Sequence, residues 1–408
     1  MRCAEWMRGP RAAGLVALLA SGCMFKWPGG GETGDQAVDS GADVVAHPTV
    51  GFVYVGPVGD HGWTLTHELG RQHLENELDG VDTHYEPSVS PADALDVMEQ
   101  FIADGDNIVI TTSHDFLTAT QTAAANHPDV RFLSCSGFTS GPNLGSYFGR
   151  MYQPWYLAGM VAASKTCTDR IGFVAPVTLA EIVRHINAFT IGAREVNPDI
   201  QVEVIWTGSW FDPEQEPVVT QTLIDRGADV IVGHTDTSIP VEVSAGQTVS
   251  CEGTDSPVWS VGYDNPDTCD FAPETCLTAP YWNWGPLYAR LVSAIADGSW
   301  DPHAQVWDQM TGAPEESTVA LAPLNENVDG TVRLEVEGRL PELTAEGGKH
   351  LPFVGPLVDT QGTTRFVSGE VLTDDDLLRM CWFVEGVIQV DGGEDVPGEV
   401  PPGCEGDY

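Results

Sequence analysis

Val50-Gly51-Phe52-Val53-Tyr54-Val55, then the loop Gly56-Pro57-Val58-Gly59-Asp60-His61-Gly62, then an amphipathic stretch from Trp63 through residue 78, decide the fold of this chain. The first six residues form a nearly continuous apolar run. A strand of that kind is buried on both faces and belongs in a parallel sheet, because an antiparallel strand with one wet face alternates. Strand, glycine-bearing loop and helix together open a parallel α/β unit. The same alternation recurs as helix 92–103, strand 107–112, helix 116–126 and strand 131–135. It returns as strand 171–175, helix 181–196, strand 201–206, helix 214–226 and strand 229–233. Such runs predict parallel sheets covered by helices on both faces. Two sheets fit the length better than one, with a helical segment at 154–165 between them.

The chain has 408 residues and is 42% hydrophobic, enough for two moderate cores. Its 60 acidic side chains against 18 basic ones leave a formal net charge of −42. That charge repels phosphate backbones and anionic lipid surfaces, so nucleic acid is excluded as a partner. The acids are spread along the chain and read as a solvated surface.

At the N-terminus Arg2, Arg8 and Arg11 precede an apolar run, 12–20, which ends at Ser21-Gly22-Cys23. The run is too short to span a bilayer. Residues 1–22 therefore read as a lipoprotein export signal, with Cys23 as the lipidated cysteine. Ala20 stands three positions before Cys23, where leucine is usual, and plain secretion is the alternative. Several acyl chains anchor durably, each buried methylene adding about 0.8 kcal/mol. The expected location is the outer face of the cell membrane, periplasmic or extracellular, held by the lipid alone. Residues 23–48, rich in Gly, Asp and Ala, read as a flexible tether. Export makes disulfides plausible. Cys269 and Cys276 are close enough for a local staple and Cys404 is within reach of Cys381, but connectivity stays open. No CxxC pair or Cys/His cluster has metal spacing, so neither metal nor cofactor is expected.

In doubly wound sheets the ligand sits beyond the carboxyl ends of the strands. The loops there carry Asp60 and Trp63, then Ser113-His114-Asp115-Phe116, then Gly208-Ser209-Trp210-Phe211-Asp212, then His234-Thr235-Asp236, and finally Gly262-Tyr263-Asp264-Asn265. Aromatic rings and carboxylates recur in them. A flat heteroaromatic ligand needs that pairing: rings to stack on its faces and polar groups for its edge. Each residue also has a plainer role. Asp60 and Asp236 stand where helix N-caps stand, and Trp63 either faces the cleft or packs on the sheet. His61, His114 and His234 invite a general-base reading. Yet GxSxG, a Walker loop and GxGxxG are all missing, and no tight acidic cluster of the kind a calcium-dependent nucleosidase needs lies near one strand end. Asp374-Asp375-Asp376 reads as the first turn of a helix. The chain is not expected to be an enzyme.

Several stretches carry a family resemblance. They are 55–63, Ile186-Asn187-Ala188-Phe189-Thr190-Ile191-Gly192-Ala193-Arg194, Gly208-Ser209-Trp210-Phe211-Asp212-Pro213, His234-Thr235-Asp236, Trp284-Gly285-Pro286, Gly369-Glu370-Val371-Leu372 and Trp382-Phe383-Val384-Glu385-Gly386-Val387. Over about 50–387 the chain resembles the basic membrane protein family of bacterial substrate-binding lipoproteins, which serve ABC importers and include purine and purine-nucleoside binders. The resemblance implies a type I periplasmic-binding-protein fold, two doubly wound α/β lobes with a ligand cleft between them. It implies lobe I at 49–158 plus 279–315, lobe II at 159–278 plus 316–390, and a tail at 391–408. Trp63 and Trp210 look like the stacking pair, Asp60 and Asp236 like polar contacts, and Phe116 like a contact at the lobe edge. The implied partners are a purine base or nucleoside and the permease and ATPase subunits.

Two departures bear on the ligand. Nucleoside binders of this family have a lysine where this chain reads Thr278-Ala279-Pro280-Tyr281-Trp282-Asn283-Trp284. No lysine there is available to bind ribose hydroxyls, so a free base resembling adenine is favoured, with Trp282 in the space a sugar would take. His114-Asp115 replaces a common Phe-Gly and adds an acid at the rim. A receptor subunit for a membrane sensor and an exported nucleosidase are the competing readings.

Overall fold

The computed structural model describes residues 44–396, 400 and 404; the export signal and Cys23 lie outside them. The opening run forms β1 (Thr49–Val53), followed by α1 (Trp63–Glu77) and β2 (Asp82–Glu86). Then come α2 (Ala94–Asp104), β3 (Ile108–Thr111), α3 (Leu117–Asn126), β4 (Arg131–Cys135) and β5 (Leu144–Gly149). With the later strand Val306–Asp308 these make a six-stranded, all-parallel sheet in which β1 lies between β2 and β3. Val50 and Phe52 enter one core while Val53 and Val109 enter another beneath α2 and α3. Alternate side chains leave opposite faces of a strand, and here both faces are covered, so the run had to be apolar throughout.

The chain next forms α4 (Tyr152–Ala163), β6 (Arg170–Ala175), α5 (Ala180–Val196), β7 (Gln201–Trp206), α6 (Gln215–Asp225), β8 (Val230–Gly233) and α7 (Ile239–Ser244). The second six-stranded sheet runs Trp259–Val261, β8, β6, β7, Val387–Asp391, Glu394–Val396, parallel except for the last pair. Residues 154–165, read as a segment between the sheets, lie largely in α4, every residue of which is buried and which packs on α5. The two helices meet at glycines: a β-carbon on Gly159 or Gly192 would stand 2.0 Å from a carbonyl oxygen of the other helix. Within the stretch read as a tail, Glu394–Val396 is an edge strand and Cys404 is bonded to Cys381.

Between the sheets, Pro280–Trp282 runs antiparallel to Val319–Leu321, and helix Trp284–Asp297 packs on α1. Asp374 caps no site of its own. It opens the short helix Asp374–Leu378 and takes two hydrogen bonds from the buried guanidinium of Arg150, at 2.8 and 3.0 Å, beside the β5–α4 connection. The disulfides are Cys167–Cys251, Cys269–Cys276 and Cys381–Cys404, with Cys135 free and buried. No helix of the described residues is long and apolar enough to cross a membrane.

Candidate ligand-binding site

Strand order reverses between β1 and β3 in the first sheet and between β6 and β8 in the second. Neighbouring strands at such a point send their following helices to opposite faces, which leaves a crevice at their carboxyl ends. The two crevices share one cavity of about 530 Å³. The loops after β1 and β3 bring Asp60, Trp63, Ser113, His114 and Asp115 to it, and β5 adds Phe148. From the second lobe come Val177, Leu179, Glu181, Ser209, Trp210, Phe211, Asp236 and Tyr263. Among these lining residues there is no lysine or arginine.

Trp63 is held from three sides. Its Nε1–H donates to the carbonyl of Thr112 at 2.8 Å, and its ring stands edge-on to His67, Trp282 and Trp284, with centroids 4.6, 5.5 and 5.5 Å away. Such pairs each add about 0.5–1.5 kcal/mol beyond area burial, so the indole meets the cavity pre-oriented. Trp282 lies one layer behind the wall, stacked on Trp284 at 4.6 Å, its Nε1–H donating to the Tyr263 hydroxyl at 3.1 Å. It therefore backs Trp63 and Tyr263 and fills no part of the cavity. Phe116 does not reach the cavity either. It is fully buried in the outer core of the first lobe with Val109 and Phe132, because the turn His114–Phe116 points its third residue back at the sheet.

Asp60 accepts from the amides of Gly62 at 3.0 Å, Thr64 at 2.8 Å and Leu65 at 3.0 Å, so it caps the start of α1 while lining the cavity. In the second lobe the acids are differently placed. Burial pushes the Glu181 carboxyl up to about 7. Asp236 and the fully buried Asp264 are both held well above the usual carboxylate range, first by burial and then by neighbouring acids, Asp60 for Asp236 and Asp236 for Asp264. These carboxyls come from four separate segments, so an acidic cluster that is not local in sequence forms at the cleft, although none is visible near any one strand end.

The histidines divide. His114 is partly exposed on the wall, with Nδ1 3.3 Å from the Ser136 carbonyl oxygen. His61 is exposed at the rim and packs edge-on against Phe271. His234 is fully buried beneath the cavity, stacked on Trp155 at 4.9 Å, with Nε2 2.9 Å from His185 Nδ1. Burial lowers it to about 3, which keeps it neutral. Among the described residues no group of three or more His, Cys, Asp or Glu side chains could hold a metal ion.

Asp60, Trp63, Trp210 and Asp236 thus share one cavity with Tyr263, whose loop the sequence also places at a strand end, and Glu181 and Phe148 join them without a sequence expectation. Glu181 was within reach of the strand-end rule, since it follows the loop after β6. Phe148 was not, because it projects from within a strand.

The arrangement has counterparts among known proteins. Residues 47–312 match the family model described as ABC transporter substrate-binding protein PnrA-like. A purine-binding protein of Brucella abortus is 34% identical over 340 residues, 83% of this chain and 92% of that one. A protein of Haloferax volcanii, provisionally named an ABC transporter glucose-binding protein, is 33% identical over 70% of this chain and 71% of its own. Among solved structures, an ABC transporter solute-binding protein of Conexibacter woesei shares the fold with a TM-score of 0.58 at 20% identity, over 72% of this chain and 96% of that one. With most of its length matched and its cleft built at the strand ends of two parallel sheets, this chain belongs to the Bmp family, the PnrA-like substrate-binding proteins of ABC transporters.

Proposed function

We propose that this chain is the lipid-anchored component of an importer that captures a free purine base, adenine-like, and passes it to separate permease and ATPase chains. ABC substrate-binding proteins work outside the cytoplasm, and Cys23 is the anchor in this reading. The observation that carries the ligand is the wall itself. Trp63, Trp210, Phe148 and Tyr263 offer ring faces and edges, while Glu181 and Asp236 offer acceptors and no cation is present for an anionic group. Purines have two flat faces and an edge of N–H donors and ring nitrogens. The Brucella relative named for purine binding supports the class, and the lysine-free stretch 278–284 favours a base over a nucleoside.

Thermal-shift titration with adenine, guanine, adenosine and glucose tests this. At a hundredfold excess over Kd the cognate ligand adds about 2.7 kcal/mol of stability. Adenine is expected to raise the melting temperature most, and Trp63→Ala and Trp210→Ala are each expected to abolish that rise. A rise with glucose alone would move the chain toward its Haloferax relative. Mass spectrometry of the mature chain, showing a diacylglyceryl group on Cys23 or a bare N-terminus, tests the anchor.

A further inference from the structure

Gly62, on the first lobe, lies against the backbone of Asp236, on the second. A β-carbon on Gly62 would stand 2.6 Å from the carbonyl carbon and oxygen of Asp236 and 2.9 Å from its Cα. Backbone atoms cannot swing aside as a flexible side-chain end can. Both partners are also fixed: the Gly62 amide donates to Asp60 at 3.0 Å, and the Asp236 amide donates to the Trp210 carbonyl at 2.8 Å. Next to this contact His61, with φ of 63°, turns its ring edge-on to Phe271, centroids 5.4 Å apart and planes at 82°. Phe271 ends the short turn Pro266–Phe271, which the Cys269–Cys276 disulfide staples. The neighbouring Gly59 differs, for a β-carbon there meets nothing within 4 Å.

We propose that Gly62 is the residue that sets how far the cleft closes, with His61 and Phe271 as the outer clasp of the same cross-lobe latch. Only a closed cleft makes these contacts. The same approach brings Asp60 toward Asp236 and Asp264, and like charges oppose it. Closing therefore needs two things: a residue without a side chain at position 62, and a ligand that donates hydrogen bonds, or a proton, among the carboxylates. Only the identity of that ligand rests on the purine reading above.

The test is a cross-linking assay that does not depend on the ligand. His61→Cys and Phe271→Cys are introduced together in the full chain, treated with a short bismaleimide, and the 61–271 cross-linked peptide is quantified by mass spectrometry. Adding Gly62→Ala is expected to lower the yield about tenfold or more, the effect of an overpacked contact on closure, while Gly59→Ala leaves it unchanged. Because the open form makes no contact at Gly62, Gly62→Ala should melt within about 2 °C of its parent when unliganded. Equal cross-linking yields with Gly62→Ala and without it overturn the latch. If Gly62→Ala lowers the yield but adenine does not raise it in the parent, the latch stands and the purine reading fails.

Discussion

The two walls of the cleft carry the same chemistry in different states. Asp60, on the first lobe, accepts three backbone hydrogen bonds and is occupied in holding its own loop. On the second lobe, Glu181 and Asp236 line the cavity with carboxyls that burial pushes up, and Asp236 shares a side-chain hydrogen bond with the fully buried Asp264. A carboxylate satisfied by its own backbone has little left to gain from a ligand; one that is desolvated gains more from a new donor. On the purine reading proposed above, the first wall shapes the cleft and the second wall is where a ligand with N–H donors would gain binding energy.

The sharpest way to break this comparison is through pH. Glu181 has a folded-state pKa of about 7 against an ordinary 4.5. The folded chain thus binds more protons than the unfolded one between those values, and stability falls as pH rises through that window. The loss for this one group is about 3 kcal/mol. Glu181→Gln is expected to flatten the curve of urea-unfolding free energy between about pH 4.5 and 7. An unchanged curve would mean that this wall is solvated after all.

Next in size is the ligand itself. Asp236→Asn is expected to weaken adenine binding by about 3- to 10-fold in calorimetric titration, the value of a hydrogen bond to an uncharged group. The unliganded variant should be no less stable than the parent, since a buried carboxyl crowded by other acids is removed. Asp60→Ala should show the reverse balance. Its main effect is lost capping, about 1–2 kcal/mol, read as a melting temperature lower by roughly 1–3 °C. If Asp60→Ala instead abolishes binding with its melting point intact, the two walls have exchanged roles.

Much of this is legible in the sequence. The run from Val50 to Val55 announced a strand covered on both faces, and the strand-end rule led to Asp60, Trp63, Trp210 and Asp236. Where the structure places a side chain away from the cavity, the cause is physical. Phe116 was read by its loop, but the direction of a side chain depends on how a single turn is wound. Trp282 was read by its place in the chain, but it sits on a crossing strand whose inner face stacks on Trp284. Asp60, Asp236 and Asp264 are legible one by one as acids of the strand-end loops, but their convergence with Glu181 is not, because the four are far apart in sequence.

Periodicity and loop position are local, and local pattern by itself determined that this chain has parallel sheets, that its cleft loops follow the strands, and which aromatic and acidic residues those loops carry. Only the tertiary structure decided which acids are satisfied and which are not. That depends on which backbone amides and which other carboxylates arrive from distant segments, and on Gly62 letting two lobes meet with no side chain between them.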